Sequence, residues 1–105
     1  MSIEVIMITR RPWPKEILET MNWQTDKDFT MRLLVRGPQP WTPEELKALL
    51  EFPVEIYPQK LYFSTGTRYG AGLAWDELLT YVESDYVLFT EDYCVANPRS
   101  IETFR

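Results

Sequence analysis

Histidine is absent from this chain of 105 residues, and cysteine occurs once, as Cys94. Without histidine, neither a Ser-His-Asp nor a Cys-His catalytic arrangement can form, and a structural zinc site is disfavoured. A single cysteine excludes an intramolecular disulfide and a CxxC site, which is compatible with a reducing cytosol. Any acid–base or metal chemistry must therefore come from carboxylates.

Long apolar runs and basic clusters are missing as well. No stretch approaches the roughly 20 apolar residues of a membrane-spanning helix, and the N-terminus does not read as a signal peptide. We therefore expect a cytoplasmic protein without a membrane span. The 11 basic and 16 acidic residues give a net charge of −5, and Arg10-Arg11 is only a pair. Because an acidic surface repels phosphate backbones, nucleic acid is not an expected partner.

The composition that remains is that of a single globular domain covering residues 1–105. Apolar residues make up 45% of the chain and charged residues 26%, which excludes a disordered protein. The length supports one packed core and no more. Aromatic residues reach 14%, and the four tryptophans are predicted to pack in the core or at its margin. These are Trp13, Trp23, Trp41 and Trp75.

Four short segments rich in apolar and β-branched residues predict β-strands, at residues 3–9, 31–35, 54–57 and 86–90. Helical spacing of apolar residues predicts helices at 14–21 and 71–82, with a further short helix from Asn97-Pro98. The clearest helix start is at Thr42, because Pro43 suits the first turn and Glu45 completes a capping box. Pro53 ends that helix. The glycine-rich stretch 58–72 is predicted to be a loop.

The order βαβαβαβ predicts a three-layer α/β/α domain with a mostly parallel four-stranded sheet. In such sheets, ligands bind beyond the carboxyl ends of the strands. We therefore expect two basic spots and one acidic pair to meet at one edge, as a site for an anionic ligand with a divalent cation. The strand ends carry Thr9, Arg10 and Arg11, then Arg36, then Gln59, then Glu91 and Asp92.

The two common nucleotide fingerprints are absent, since no glycines follow the first strand and no GxxxxGK[ST] sequence occurs. Glu91 and Asp92 repel each other as adjacent carboxylates, and a bound Mg²⁺ or Mn²⁺ would offset that repulsion. The alternative is a solvated acidic turn.

Positive charges and glycines offer further candidate contacts for phosphate. Arg68 and Gly70 precede a predicted helix whose N-terminal N–H groups attract phosphate, although a flexible connector explains the glycines equally well. Arg10 and Arg11 are placed to clamp a diphosphate, and their alternative is an ordinary solvated surface.

Several segments together resemble the family 2 glycosyltransferases of the GT-A fold. They are residues 6–12 (IMITRRP), 21–25 (MNWQT), 28–35 (DFTMRLLV), 70–74 (GAGLA) and 85–98 (DYVLFTEDYCVANP), and the resemblance covers nearly the whole chain. It implies the Rossmann-like, nucleotide-binding half of a GT-A fold and a nucleoside-diphosphate sugar as ligand. The implied metal residues are Asp92 and Glu91, holding Mn²⁺ or Mg²⁺ on the diphosphate. The implied nucleotide-binding residues are Thr9, Arg10, Arg11, Arg36, Arg68 and Gly70.

The chain also departs from that family. Tyr93 stands where a metal-binding carboxylate is often found, Arg36 replaces an aspartate that contacts the nucleoside, and Trp75-Asp76 replaces an Arg-Asn pair. The sequence ends just beyond the acidic pair, without the half that binds the acceptor and supplies the base, so we expect no transfer by these residues alone. A half-domain leaves a sheet edge bare, so self-association is expected. The alternatives are a non-catalytic scaffolding module of degenerate GT-A fold and an unrelated flavodoxin-like interaction domain.

Overall fold

A computed structural model describes residues 2–10, 14–37, 39–60, 70–92 and 95–105, with side chains described everywhere in these ranges except at 70–73. The four strands are β1 (Ile3–Thr9), β2 (Thr30–Val35), β3 (Val54–Pro58) and β4 (Tyr86–Glu91). The helices are α1 (Lys15–Thr20), extended by a 3₁₀ turn at Met21–Trp23, then α2 (Pro43–Lys47), α3 (Gly70–Leu79) and α4 (Ser100–Phe104).

The four strands form one sheet in the order β3-β2-β1-β4, and every pair is parallel. The predicted α/β architecture is therefore confirmed. In the register of the sheet, Thr9 lies beside Val35 of β2, and Ile8 lies beside Glu91 of β4. The carboxyl ends of three strands consequently meet at one edge.

The sheet is covered by helices on both faces, and β1 is buried on both sides because it lies in the middle. The smaller core holds Ile6 and Leu34 under Ala74 and Leu78 of α3. The larger core, on the other face, includes Leu18 of α1, Leu46 of α2, Ile101 of α4 and the strand residues Ile3, Val5, Met7, Met31, Leu33 and Val54.

The predicted start of α2 is confirmed in detail. The Thr42 hydroxyl accepts a hydrogen bond from the Glu45 N–H at 3.2 Å, and the Glu45 carboxylate accepts one from the Thr42 N–H at 3.1 Å. Pro43 occupies the first turn, where no intrahelical donor is needed. A cap of this kind stabilises a helix by about 1 kcal/mol.

Three helix ends differ from the prediction. Helix α2 ends at Lys47, well before Pro53, because the N–H groups of Leu49 and Leu50 bond back three residues. Helix α3 ends at Leu79, so Val82 lies beyond it, because the N–H groups of residues 80–82 bond back three residues in a tight turn. Helix α4 begins at Ser100 and not at Pro98. There, Asn97 forms a turn of its own, accepting hydrogen bonds from the N–H groups of Arg99 and Ser100.

The tryptophans divide between core and surface. Trp41 is buried, as predicted, whereas Trp23 is 62% exposed and the prediction for it is wrong. Trp23 lies in the 3₁₀ turn after α1, whose buried residue is Met21. Trp13 lies outside the described residues.

A buried glutamine that follows α1 and its 3₁₀ turn makes hydrogen bonds to the segment after β4. Gln24 is 2% exposed. Its amide nitrogen donates to the carbonyl of Asn97 at 2.7 Å, and its amide oxygen accepts from the N–H of Ile101 at 3.1 Å. The N–H of Thr25 adds a bond to the carbonyl of Pro98 at 2.8 Å. These bonds fix the path of the chain beyond the predicted acidic pair.

A buried ion pair lies towards the amino end of the sheet. Glu4 is 2% exposed and accepts hydrogen bonds from the Arg32 guanidinium and from the N–H groups of Glu83 and Ser84. Arg32 also donates to the Tyr57 hydroxyl at 2.6 Å. Burial opposes ionisation of Glu4, but the hydrogen bonds from Arg32, Ser84 and Glu83 outweigh it and hold its pKa below the ordinary value of 4.5.

Candidate functional site

The candidate site lies at the carboxyl edge of the sheet, where the Thr9 hydroxyl donates a hydrogen bond of 2.9 Å to the Asp92 carboxylate. Thr9 is the last residue of β1 and is buried, and Asp92 follows β4 directly. The N–H of Arg36 donates to the carbonyl of Thr9 at 2.8 Å. Because β1 lies between β2 and β4, Thr9 links the ends of both neighbouring strands.

A cavity of about 220 Å³ opens at this edge, and its walls carry charges of both signs. Two guanidinium groups and two carboxylates line it, which is the convergence predicted for the strand ends. The cavity is lined by Ile8, Arg10, Arg36, Trp75, Glu91 and Asp92. Arg10 and Glu91 are exposed, whereas Arg36 and Asp92 are half-buried.

Arg36 is positioned by a neighbour that the sequence did not single out as a site residue. Its Nε donates to the side-chain oxygen of Gln59 at 3.1 Å. Gln59 is itself buried, and its N–H donates to the carbonyl of Val35 at 2.9 Å. Gly37 follows with a φ of +90°, a backbone conformation that favours glycine, so the chain turns away directly after Arg36. The sequence signal for Gln59 is its place directly after β3.

Trp75 forms the apolar wall of the cavity. Its backbone is fixed because α3 is anchored by Ala74 and Leu78, both fully buried against the sheet. The indole meets the ring of Phe89 edge-on, with centroids 5.2 Å apart and planes at 61°. Sequence reasoning predicted packing for Trp75 and missed its place in this cavity. The sequence feature that could have pointed to Trp75 is its position: it follows Ala74 and stands where the resembled family has an arginine.

Two of the other predicted residues, Arg11 and Arg68, lie outside the described residues. Gly70 is the first residue of α3. Among the described residues predicted to bind nucleotide, Arg10 and Arg36 line the cavity, and the Thr9 hydroxyl holds Asp92.

The donor set limits the kind of metal site that fits here. In the part of the chain that the structure describes, no three His, Cys, Asp or Glu side chains form a cluster suited to a metal ion. Glu91 and Asp92 supply two carboxylates. Mg²⁺ is commonly bound by one or two carboxylates, with substrate phosphates and water completing its coordination. The residues present therefore fit a cation that arrives with a phosphate ligand, and do not fit a closed protein cage.

Comparison with known proteins bears on the fold. No protein-family model matches the chain, and no curated protein matches it in sequence. Among solved structures, the chain is similar to residues 1–349 of S. aureus TarS, a glycosyltransferase, with a TM-score of 0.72 and 17% sequence identity. The match covers 99% of this chain and 31% of the TarS chain.

This likeness shows a shared fold. The four-stranded parallel sheet with flanking helices is an α/β, Rossmann-like arrangement, and it is similar to part of the TarS chain. The chain spans about a third of the length of the TarS chain that it matches. Among the helices that the structure describes, none has the length and apolar character needed to cross a membrane.

Proposed function

We propose that this chain is a glycosyltransferase-like domain that binds a nucleoside-diphosphate sugar with a divalent cation at the carboxyl edge of the sheet. The observation that carries the proposal is the hydrogen bond between Thr9 and Asp92, which holds a carboxylate beside two arginines in one open cavity. Support comes also from the fold shared with TarS and from the general place of ligands in open α/β sheets. Transfer of the sugar to an acceptor hydroxyl would need a further acceptor-binding part.

The charges of the cavity favour a cation and a diphosphate that bind together. Arg10 and Arg36 carry two positive charges, and Glu91 and Asp92 carry two negative ones. A divalent cation alone would approach the carboxylates against the repulsion of both guanidinium groups. A diphosphate neutralises that repulsion, because guanidinium groups bind phosphate oxygens well. We therefore expect Mn²⁺ or Mg²⁺ to bind weakly alone and much more tightly with the nucleotide.

Each residue of the cavity has a distinct part in this proposal. Arg10 and Arg36 bind the phosphate oxygens, and Gln59 keeps Arg36 turned towards the cavity. Asp92, with Glu91, holds the cation, and Thr9 orients the Asp92 carboxylate. When bound, the cation would neutralise the negative charge that develops on the leaving diphosphate.

The test is calorimetric titration of the protein with UDP-sugars and GDP-sugars, with and without Mn²⁺. We expect binding that depends on Mn²⁺ and that Asp92→Ala abolishes, because this variant removes the better-positioned carboxylate. Asp85→Ala is the matched control, since Asp85 is an exposed aspartate just before β4 and does not line the cavity. Metal-independent binding, or equal binding by Asp92→Ala, would contradict the role of the cation.

A second candidate function is a non-catalytic binding or scaffolding module that keeps the fold. The observation that favours it is the equal number of guanidinium and carboxylate groups around the cavity, since these can neutralise one another without a ligand. The same titration separates the two functions. A protein that binds neither UDP-sugars nor GDP-sugars at any Mn²⁺ concentration is the scaffolding module.

A further inference from the structure

Trp75 lies beside the buried face of its helix and not within it. Ala74 and Leu78 are both 0% exposed and form the face of α3 that packs on the sheet. Trp75 is one position further round the helix than Ala74, at the margin of the same core, and its side chain is only half-buried. The indole therefore keeps surface that a ligand can contact in the cavity that it lines.

The register of the sheet places the indole on the side of the cavity that carries the carboxylates. Trp75 contacts Phe89 of β4. Because side chains alternate along a strand, Glu91 lies on the same face of β4 as Phe89, and it is the neighbour of Ile8 on β1. Arg36 follows β2, on the other side of β1. The cavity therefore runs from a guanidinium group at the end of β2 to a carboxylate and the indole at the end of β4.

An indole carries no charge, so it suits an uncharged part of a ligand. The face of an aromatic ring is electron-rich and attracts the partly positive C–H groups of a neighbour, whereas it repels the oxygens of a phosphate. The C–H groups on one face of a sugar ring pack against an indole through dispersion and through the burial of apolar surface. Small-molecule sites commonly combine such an aromatic wall with a few polar groups that orient the ligand. Trp75 therefore complements a ring of the ligand and not its diphosphate.

The place of the cation decides which ring of the ligand lies against Trp75. In the proposed function, the cation at Asp92 and Glu91 neutralises the charge that develops on the leaving diphosphate. That charge appears on the phosphate oxygen that was bonded to the sugar, so the sugar lies next to the carboxylates, at the end of β4. The nucleoside is attached to the other phosphate and extends towards Arg36 at the end of β2. The sugar is therefore the ring beside the indole.

We propose that Trp75 is a specificity-determining residue that packs against the apolar face of the donor sugar. The inference rests on the proposed function and deepens it, because it names the part of the nucleoside-diphosphate sugar that the apolar wall recognises. The substrate class is a hexose whose ring presents C–H groups on one face, such as glucose. An arginine at position 75 would add a further guanidinium group for phosphate. Tryptophan instead adds a contact with the uncharged ring, so it distinguishes a nucleotide that carries a sugar from one that does not.

The experiment is calorimetric titration of the intact chain in Mn²⁺ with two pairs of ligands, UDP with UDP-glucose and GDP with GDP-mannose. For the pair that the wild type binds, Trp75→Ala should weaken binding of the sugar conjugate about 5-fold to 10-fold and that of the bare diphosphate less than about 2-fold. Trp75→Phe keeps an aromatic ring and should retain most of the affinity for the conjugate. Trp23→Ala is the matched control and should bind as wild type does, since Trp23 is an exposed tryptophan in the turn after α1, which packs on the other face of the sheet.

Tryptophan fluorescence gives a second readout that holds even where Trp75→Ala affects folding. The difference between wild type and Trp75→Phe isolates the emission of Trp75, which should change much more with the sugar conjugate than with the bare diphosphate. Equal losses of affinity for both ligands of a pair would place the indole against the nucleoside and overturn the inference, and so would full affinity of Trp75→Ala for the conjugate. Either result leaves the proposed function standing. A wild type that binds neither conjugate would refute the proposed function and this inference with it.

Discussion

The sheet carries arginine and carboxylate groups together in two places, and the two places are built differently. Towards its amino end, Glu4 and Arg32 are closed off, with side chains 2% and 13% exposed. Backbone N–H groups and the Tyr57 hydroxyl complete their hydrogen bonds. At its carboxyl end, two arginines and two carboxylates surround an open cavity. The same residue types are thus enclosed at one end and accessible at the other.

Burial changes the contribution of a charged group to the free energy of folding. A buried pair has lost its water, so each member depends on the other and on its remaining hydrogen bonds. A charged group at an open cavity keeps part of its water, so removing it costs little folding free energy. The enclosed pair should therefore control stability, and the open cavity should control ligand binding.

The largest expected effect is on stability, from Glu4→Gln. This change leaves the Arg32 guanidinium with no carboxylate partner in a nearly buried position, and breaking such a pair costs about 3 kcal/mol. Urea unfolding followed by circular dichroism measures the loss.

Two control variants test whether the stability loss comes from leaving Arg32 buried without its carboxylate partner. Glu51→Gln breaks the exposed pair between Lys27 and Glu51 and should change the free energy of unfolding little. The double variant Glu4→Leu with Arg32→Met removes both charges together, and its loss should be smaller than that of Glu4→Gln alone. Equal losses for Glu4→Gln and Glu51→Gln would contradict the distinction between enclosed and open groups.

An intermediate effect is expected from pH. The pKa of Glu4 is below 4.5 in the folded protein, so the unfolded chain takes up its proton at a higher pH than the folded one. The stabilisation from Glu4 is therefore fully present above pH 4.5 and is lost as the pH falls through the lower folded pKa. Unfolding measured from neutral to acidic pH should show that the difference between wild type and Glu4→Gln shrinks in that range. A difference that stays constant would contradict this.

A weaker effect on stability is expected from Thr9→Val, which tests the accessible group at the carboxyl end of the sheet. Valine keeps the shape of threonine but removes the donor to Asp92, so the free energy of unfolding should fall by only about 1 kcal/mol. Mn²⁺-dependent nucleotide binding should weaken several-fold, because the Asp92 carboxylate loses its orientation. Thr9→Ser keeps a hydroxyl and should bind as wild type does. Calorimetry on both variants would contradict the role of Thr9 if they bind equally well.

The fold was predictable because its two central strands, β1 and β2, are largely buried by neighbours on both faces. Such strands read as nearly continuous apolar runs, which is why Ile3–Thr9 was identified from the sequence. Alternation with helices then implied parallel strands, and parallel strands place their carboxyl ends together. The meeting of Arg10, Arg36 and Asp92 at one edge followed from this topology.

The features that the sequence did not predict depend on residues far apart in the chain. The partner of Glu4 is Arg32 on the neighbouring strand, and nothing local marks either residue as buried. Gln59 meets Arg36 across the ends of β3 and β2. Trp23 was assigned to the core by its size alone, and the 3₁₀ turn leaves it in solvent.

Apolar periodicity and capping are local properties, so the kinds of element, their order and the residues at each strand end can be predicted from the sequence. Whether a residue is enclosed or faces an open cavity is set by tertiary contacts. Burial, and with it the pKa of Glu4 and the hydrogen bond between Thr9 and Asp92, depends on segments that are distant in sequence and meet only when the sheet forms.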